Sequence, residues 1–189
     1  MKLGVLALQG AFREHCQALI RCGVEAVEIR NANELDDVDG LILPGGESTT
    51  IGKLLLDWGI MDKIRQRAAQ GMAIYGTCAG LILLAKTIHN SDQPRLGLMD
   101  ITVRRNAFGR QVDSFEADLM VPELGEEPFP AVFIRAPLIE KAGTNVEILA
   151  RVKDKIVMAR QDKLLATSFH PELTDDTRVH QYFINMARE

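Results

Sequence analysis

The chain has 189 residues, 47% of them hydrophobic and 25% charged, enough to bury a core and balanced like a globular protein. Its net charge of −4 leaves no basic footprint for nucleic acid, and its longest strongly apolar stretch, Ala73 to Ala85, is shorter than a bilayer span. The expectation is one cytoplasmic domain over residues 1–189, without nucleic-acid or membrane partners.

In chain order, Lys2 to Leu8 is a short apolar run that predicts a buried strand. Its early stop at Gln9 does not match a secretory leader. Phe12, Cys16, Leu19 and Ile20 mark one face of a helix over Phe12 to Arg21, stopped at Gly23. Val24 to Ile29 and Gly40 to Leu43 predict two more strands, the second ended by Pro44. Ser48 to Trp58 and Met61 to Gln70 read as helices, Met72 to Tyr75 as a strand, and Ala79 to Ile88 as a helix. This alternation predicts a parallel sheet covered on both faces.

The second half is richer in strands: Asp100 to Arg104, Phe115 to Val121, Ala131 to Ile134, Val146 to Val152, Ile156 to Arg160 and Leu164 to Ser168. The last five read as antiparallel or mixed extensions of the sheet. Glu123 to Pro130 is a loop, and Thr177 to Ala187 a closing helix. The fold class is therefore α/β: three layers, with a doubly wound, mostly parallel but mixed central sheet and helices on both faces.

Three cysteines, Cys16, Cys22 and Cys78, make no disulfide framework, and neither C-x-x-C nor H-E-x-x-H spacing occurs. No metal or bound cofactor is expected. Cys78 stands in "GTCAG", Gly76 to Gly80, between a strand and a helix. That is the form of a nucleophile elbow, better known with serine. Small residues two before and two after let strand and helix approach. The N–H of Ala79 then faces a developing oxyanion. The five residues alone fit a small buried cysteine in a tight turn equally well.

A thiolate nucleophile needs a base and a group that orients it. His170 ends an apolar strand in "SFHPEL", and Glu172, two residues on, falls on the same side of an extended chain. His15, His89 and His180 read as packed or solvated. In "LPGGEST" the paired glycines Gly45 and Gly46 permit an anion-binding turn, and Ser48 is a candidate helix cap.

Taken together, Pro44-Gly45-Gly46, Gly76 to Gly80 and His170-Pro171-Glu172 resemble, in order and content, the class I (triad) glutamine amidotransferases. Six longer blocks, Leu6 to His15, Leu41 to Thr50, Gly76 to Lys86, Arg105 to Leu119, Phe133 to Pro137 and Ser168 to Asp176, are similar to the family of glutaminase subunits of pyridoxal 5'-phosphate synthases. The resemblance implies a flavodoxin-like class I fold. It also implies hydrolysis of L-glutamine and delivery of the ammonia to a separate (β/α)8-barrel synthase subunit in a ring-shaped core.

It carries over Cys78 as nucleophile, His170 as base, Glu172 as orienter, and Gly46 with Ala79 as the oxyanion hole. Glutamine binding maps to Gly46, Glu47, Ser48, Arg105, Ile134 and Arg135. Either arginine could meet the substrate carboxylate, and Glu47 could meet its ammonium. Gln9 maps beside the oxyanion region and the subunit interface. A turn such as Gly45-Gly46 can hold two backbone arrangements, so the sequence also predicts that docking of the partner sets it.

Other readings fit less of the chain. Many hydrolases of the same broad fold place a histidine directly after the nucleophile, where this chain has Ala79. A glutaminase of another pathway lacks the 105–119 and 133–137 blocks, and a non-catalytic module would usually have lost Cys78 or His170.

Overall fold

The computed structural model describes residues 1–106 and 114–189. The strands are β1 (Lys2–Leu6), β2 (Glu25–Ile29), β3 (Gly40–Leu43), β4 (Ala73–Thr77), β5 (Ala85–Ile88), β6 (Met99–Arg104), β7 (Ser114–Leu119), β8 (Phe129–Ile134), β9 (Leu138–Ala142), β10 (Glu147–Val152), β11 (Lys155–Gln161) and β12 (Leu164–Thr167). The α-helices are α1 (Phe12–Arg21), α2 (Ser48–Asp57), α3 (Ile60–Ala69), α4 (Ala79–Leu84) and α5 (Arg178–Arg188).

The main sheet runs β2-β1-β3-β4-β12-β11-β9-β6-β5, with β10 also paired to β11. The five strands β2, β1, β3, β4 and β12 are mutually parallel. Their order reverses between β1 and β3, the switch point at which doubly wound sheets open a crevice at the strands' C-terminal ends.

Strand alternation builds two cores. Leu41, Leu43 and Ile74 face one side with Ile51 and Leu55 of α2, Ile64 of α3 and Leu83 of α4. Leu3, Val5, Ile42 and Tyr75 face the other with Leu19 of α1 and Phe183 of α5. Side chains with period two on a strand and helices on both faces thus give the three layers expected. Among the described residues, no helix is long and apolar enough to cross a membrane.

The structure departs from the sequence reading in four places. The helix expected over Ala79 to Ile88 stops at Leu84, because Ala85–Ile88 turns extended and pairs with β6. The N–H groups of Leu96 and Gly97 reach the carbonyl of Leu83 and take up its free acceptor. Strand β9 lies where no strand was expected, held by β6 and β11. Strands β7 and β8 pair with each other in a separate two-stranded sheet, rather than extending the main one. The strand expected to extend the mixed end, β12, is instead a central strand, parallel to β4 and antiparallel to β11.

Candidate active site

Four adjacent parallel strands deliver the site from their C-terminal ends. Gln9 and Gly10 follow β1, Gly45 and Gly46 follow β3, Cys78 follows β4, and His170 follows β12. Residues far apart in sequence meet because the sheet places these strands side by side.

Cys78 has φ +49° and ψ −101°, a strained conformation for a residue other than glycine. The fold holds it there. Its N–H donates to the Thr167 carbonyl at 2.9 Å, and the Ile82 N–H closes the first helical turn on the Cys78 carbonyl at 3.2 Å. The flanking glycines are required by contact: a Cβ on Gly76 would lie 2.5 Å from the Gly80 backbone, and one on Gly80 would lie 2.1 Å from the Leu43 carbonyl oxygen.

His170 is 8% exposed and Glu172 5%. His170 Nδ1–H donates to Glu172 Oε1 at 2.7 Å. The backbone N–H of His170 donates to Val132 of β8 at 2.8 Å, so the small second sheet fixes the histidine's position. Burial pulls the imidazole's pKa down, but the neighbouring Cys78 and Glu172 outweigh it and push His170 up to about 10. Burial likewise raises the carboxyl of Glu172, and His15 and His170 more than reverse this, leaving it below the usual value. By contrast the Cys16 thiol, on α1, is pushed up to about 11 by burial and by Glu28.

The imidazole lies against the glycine turn: a Cβ on Gly45 would sit 2.5 Å from His170 Cε1. The Gly45 carbonyl accepts from the Ala11 N–H at 3.3 Å. Carbonyl and N–H of a trans peptide point in opposite directions, so the Gly46 N–H is turned away from Ala11. Gln9 Oε1 accepts from the Glu47 N–H at 2.7 Å and stands where a Cβ of Gly46 would meet it at 2.5 Å.

A cavity of about 280 Å³ opens above these groups, and Gly46, Glu47, Ser48, Cys78, Ala79, Arg105, Ile134, Arg135 and His170 all line it. Every residue that the sequence assigned to the site is therefore either on this wall or, for Glu172 and Gln9, directly behind it. The Ile134 carbonyl faces Cys78 Sγ at 4.0 Å, and Arg135 sits just past β8 with φ +42°. Part of the 105–119 block, residues 107–113, lies outside the described residues.

One assignment changes and one residue is added. Glu47, not Ser48, caps α2, accepting from the Thr49 and Thr50 N–H groups at 3.1 and 2.7 Å. Ser48 Oγ turns instead to Gln93 Oε1 at 3.3 Å. Gln93, which the sequence did not single out, also accepts from Arg105 Nη1 at 2.9 Å and from Thr49 Oγ1 at 3.4 Å. It therefore holds Arg105 over the mouth of the cavity, with Arg105 Nη2 3.7 Å from Glu47 Oε1. No local pattern marks a lone glutamine in a loop, and only the contact reveals it. Among the described residues there is no His, Cys, Asp or Glu cluster that could hold a metal.

This sheet and this crevice are those of the glutamine amidotransferases. A solved structure described as a glutamine amidotransferase superposes with a TM-score of 0.94 at 55% identity, covering 99% of each chain. The model of the SNO glutamine amidotransferase family matches residues 5–189, and the chain belongs to that family. Among its relatives is pyridoxal 5'-phosphate synthase subunit PdxT of Carboxydothermus hydrogenoformans, 63% identical over 97% of this chain and 96% of that one. The protein of the same name from Moorella thermoacetica is 63% identical over 98% of this chain and 99% of its own.

Proposed function

We propose that this chain hydrolyses the side-chain amide of L-glutamine with Cys78, His170 and Glu172, and passes the ammonia to a pyridoxal 5'-phosphate synthase partner. The observation that carries the chemistry is the strained cysteine at φ +49° beside a buried imidazole that donates to a buried carboxylate at 2.7 Å. The relatives' names support the choice of partner.

In this reading the Cys78 thiolate attacks the amide carbon of the substrate. The carbonyl oxygen becomes an oxyanion that accepts hydrogen bonds from the Ala79 and Gly46 N–H groups. Losing one such donor typically costs about 2.7–4 kcal/mol in the barrier. The protonated His170 gives its proton to the departing nitrogen, and ammonia leaves a γ-glutamyl thioester on Sγ. Water then attacks the thioester while His170 takes its proton, and glutamate leaves as the thiolate returns. Glutamine and water enter; glutamate and ammonia leave.

The zwitterionic end of the substrate requires one cation and one anion. Arg105, held by Gln93, is the better-supported partner for the carboxylate, and Glu47 stands 3.7 Å from it for the ammonium. The Gly45-Gly46 turn, clasped by Gln9, Ala11 and His170, is the element that the partner sets. Ammonia release by wild type and Cys78→Ala, each with and without a barrel subunit, tests the reading. Full activity without the partner would remove the docking role, and activity surviving Cys78→Ala would remove the mechanism.

A further inference from the structure

Behind the triad lie two imidazoles that the mechanism above does not use. His15 on α1 and His180 on α5 are both 0% exposed. His15 Nε2 is 3.4 Å from Glu172 Oε2, the carboxylate oxygen that His170 does not use. That oxygen is buried and has no hydrogen-bond partner of its own. His15 Nδ1 and His180 Nε2 are 3.0 Å apart, and His180 Nδ1 is buried without a partner.

Counting protons decides the arrangement. Both rings are neutral: burial, foremost, holds His15 below its ordinary value and takes His180 down to about 3. Each ring then carries one N–H, and one hydrogen lies between them. If His15 Nδ1 held it, His180 would bury an unpaired N–H, and His15 would turn a lone pair toward the carboxylate. If His180 Nε2 holds it, no N–H is orphaned: the atoms left without a hydrogen-bond partner are two acceptors, His180 Nδ1 and Glu172 Oε2, and His15 Nε2–H lies 3.4 Å from the latter. The second arrangement leaves fewer costly orphans. The same His15 nitrogen is hydrogen-bonded to Thr77 Oγ1 at 3.2 Å, so its N–H lies between Thr77 and the Glu172 carboxylate, and Thr77 directly precedes Cys78.

We propose that His15 is a positioning residue for the glutaminase reaction: His180 fixes its tautomer, and its Nε2–H, between Thr77 Oγ1 and the second oxygen of Glu172, attracts that oxygen so that the first stays aligned on His170. This rests on the triad reading given above. The charged and titratable groups that bear on His15 are Glu172, His170, His180 and Glu14, and those on His180 are His15, Glu172 and Arg21. The edge-on ring of Tyr75 faces both, but its hydroxyl is engaged with Thr167 at 2.9 Å and burial keeps it un-ionised.

Two measurements test the proposal. Ring nitrogen NMR on the full chain reads the tautomers directly, whether or not the chain hydrolyses glutamine. His15 and His180 are each expected to be protonated at Nε2, and a proton on His15 Nδ1 would overturn the proposal. Steady-state glutaminase assays with the synthase subunit present then compare His15→Leu with His15→Gln, whose amide restores a donor near Nε2. His15→Leu is expected to lower kcat at least about tenfold with KM within about twofold, the pattern of an interaction that matters in the transition state. The limb of the pH profile set by His170 should move to lower pH, and His15→Gln should recover most of both losses. A lower melting temperature with an unmoved pH limb and no recovery by glutamine would make His15 merely structural. If Cys78→Ala retained activity the triad reading would fail, while the tautomer result would stand independently.

Discussion

Glu172→Gln keeps the size of a buried side chain and removes its charge. The wild-type carboxylate accepts from His170 at 2.7 Å and is one of the two neighbours that lift His170 to about 10. Removing an opposite charge at this range typically lowers a pKa by about 1–3 units, which is roughly 1.4–4 kcal/mol of lost imidazolium stabilisation. The amide oxygen can still accept from Nδ1–H, so the ring keeps an acceptor but not a counter-charge. If His170 is the acid that protonates the departing ammonia, kcat should fall by about 10²–10⁴-fold. Binding should change little, because Glu172 lies behind the cavity wall. The assay is ammonia release with the synthase subunit present, alongside a carbon NMR titration of His170 Cε1 in both proteins. An unmoved His170 titration together with activity within about threefold of wild type would show that the Glu172 charge neither tunes the imidazole nor matters to the reaction.

Arg105→Ala should raise KM for glutamine about 10–150-fold with a smaller effect on kcat, the worth of one hydrogen bond to a charged group; an unchanged KM would pass the carboxylate to Arg135. Gly80→Ala should destabilise the fold by about 1–3 kcal/mol, since its Cβ would lie 2.1 Å from the Leu43 carbonyl oxygen, and thermal unfolding reads this directly. Acid should also weaken the fold through His180, whose pKa falls from 6.5 to about 3 on folding. The unfolded chain binds the extra proton in that window, so stability should fall as pH drops from about 6.5 toward 3. His180→Phe should flatten this slope in denaturant titrations. His170 has the opposite sign: its folded value near 10 exceeds 6.5, so its contribution is full below pH 6.5 and lost as pH rises through about 10. The stability difference between wild type and His170→Gln should shrink across that range.

The doubly wound half was legible because most of its strands are short apolar runs, the edge strand β2 alternates apolar residues with glutamate, and its helices carry a clear face. Gly40 to Leu43 and Phe12 to Arg21 match their elements at both ends. What failed was pairing. Ala85–Ile88 continues an apolar helix in composition, and only β6 beside it decides for a strand. Strand β12 ranks last in the chain yet sits between β4 and β11, an order that no local pattern encodes. The residues of the proposed triad could be picked out because each stands in a short block at a strand end. Gln93 and the His15–His180 pair were not. His15 looks like any polar residue on a helix until α5 brings His180 within 3.0 Å of it, 165 positions along the chain.

If glutamine is cleaved through a thioester on Cys78, the intermediate can be trapped. Acid-quenching the protein with its synthase partner during turnover, followed by peptide mass spectrometry, tests this most directly. A γ-glutamyl adduct is expected on the peptide that holds Cys78, and neither adduct nor ammonia from Cys78→Ala. An adduct on Cys16 or Cys22, or ammonia released at the wild-type rate by Cys78→Ala, would contradict it.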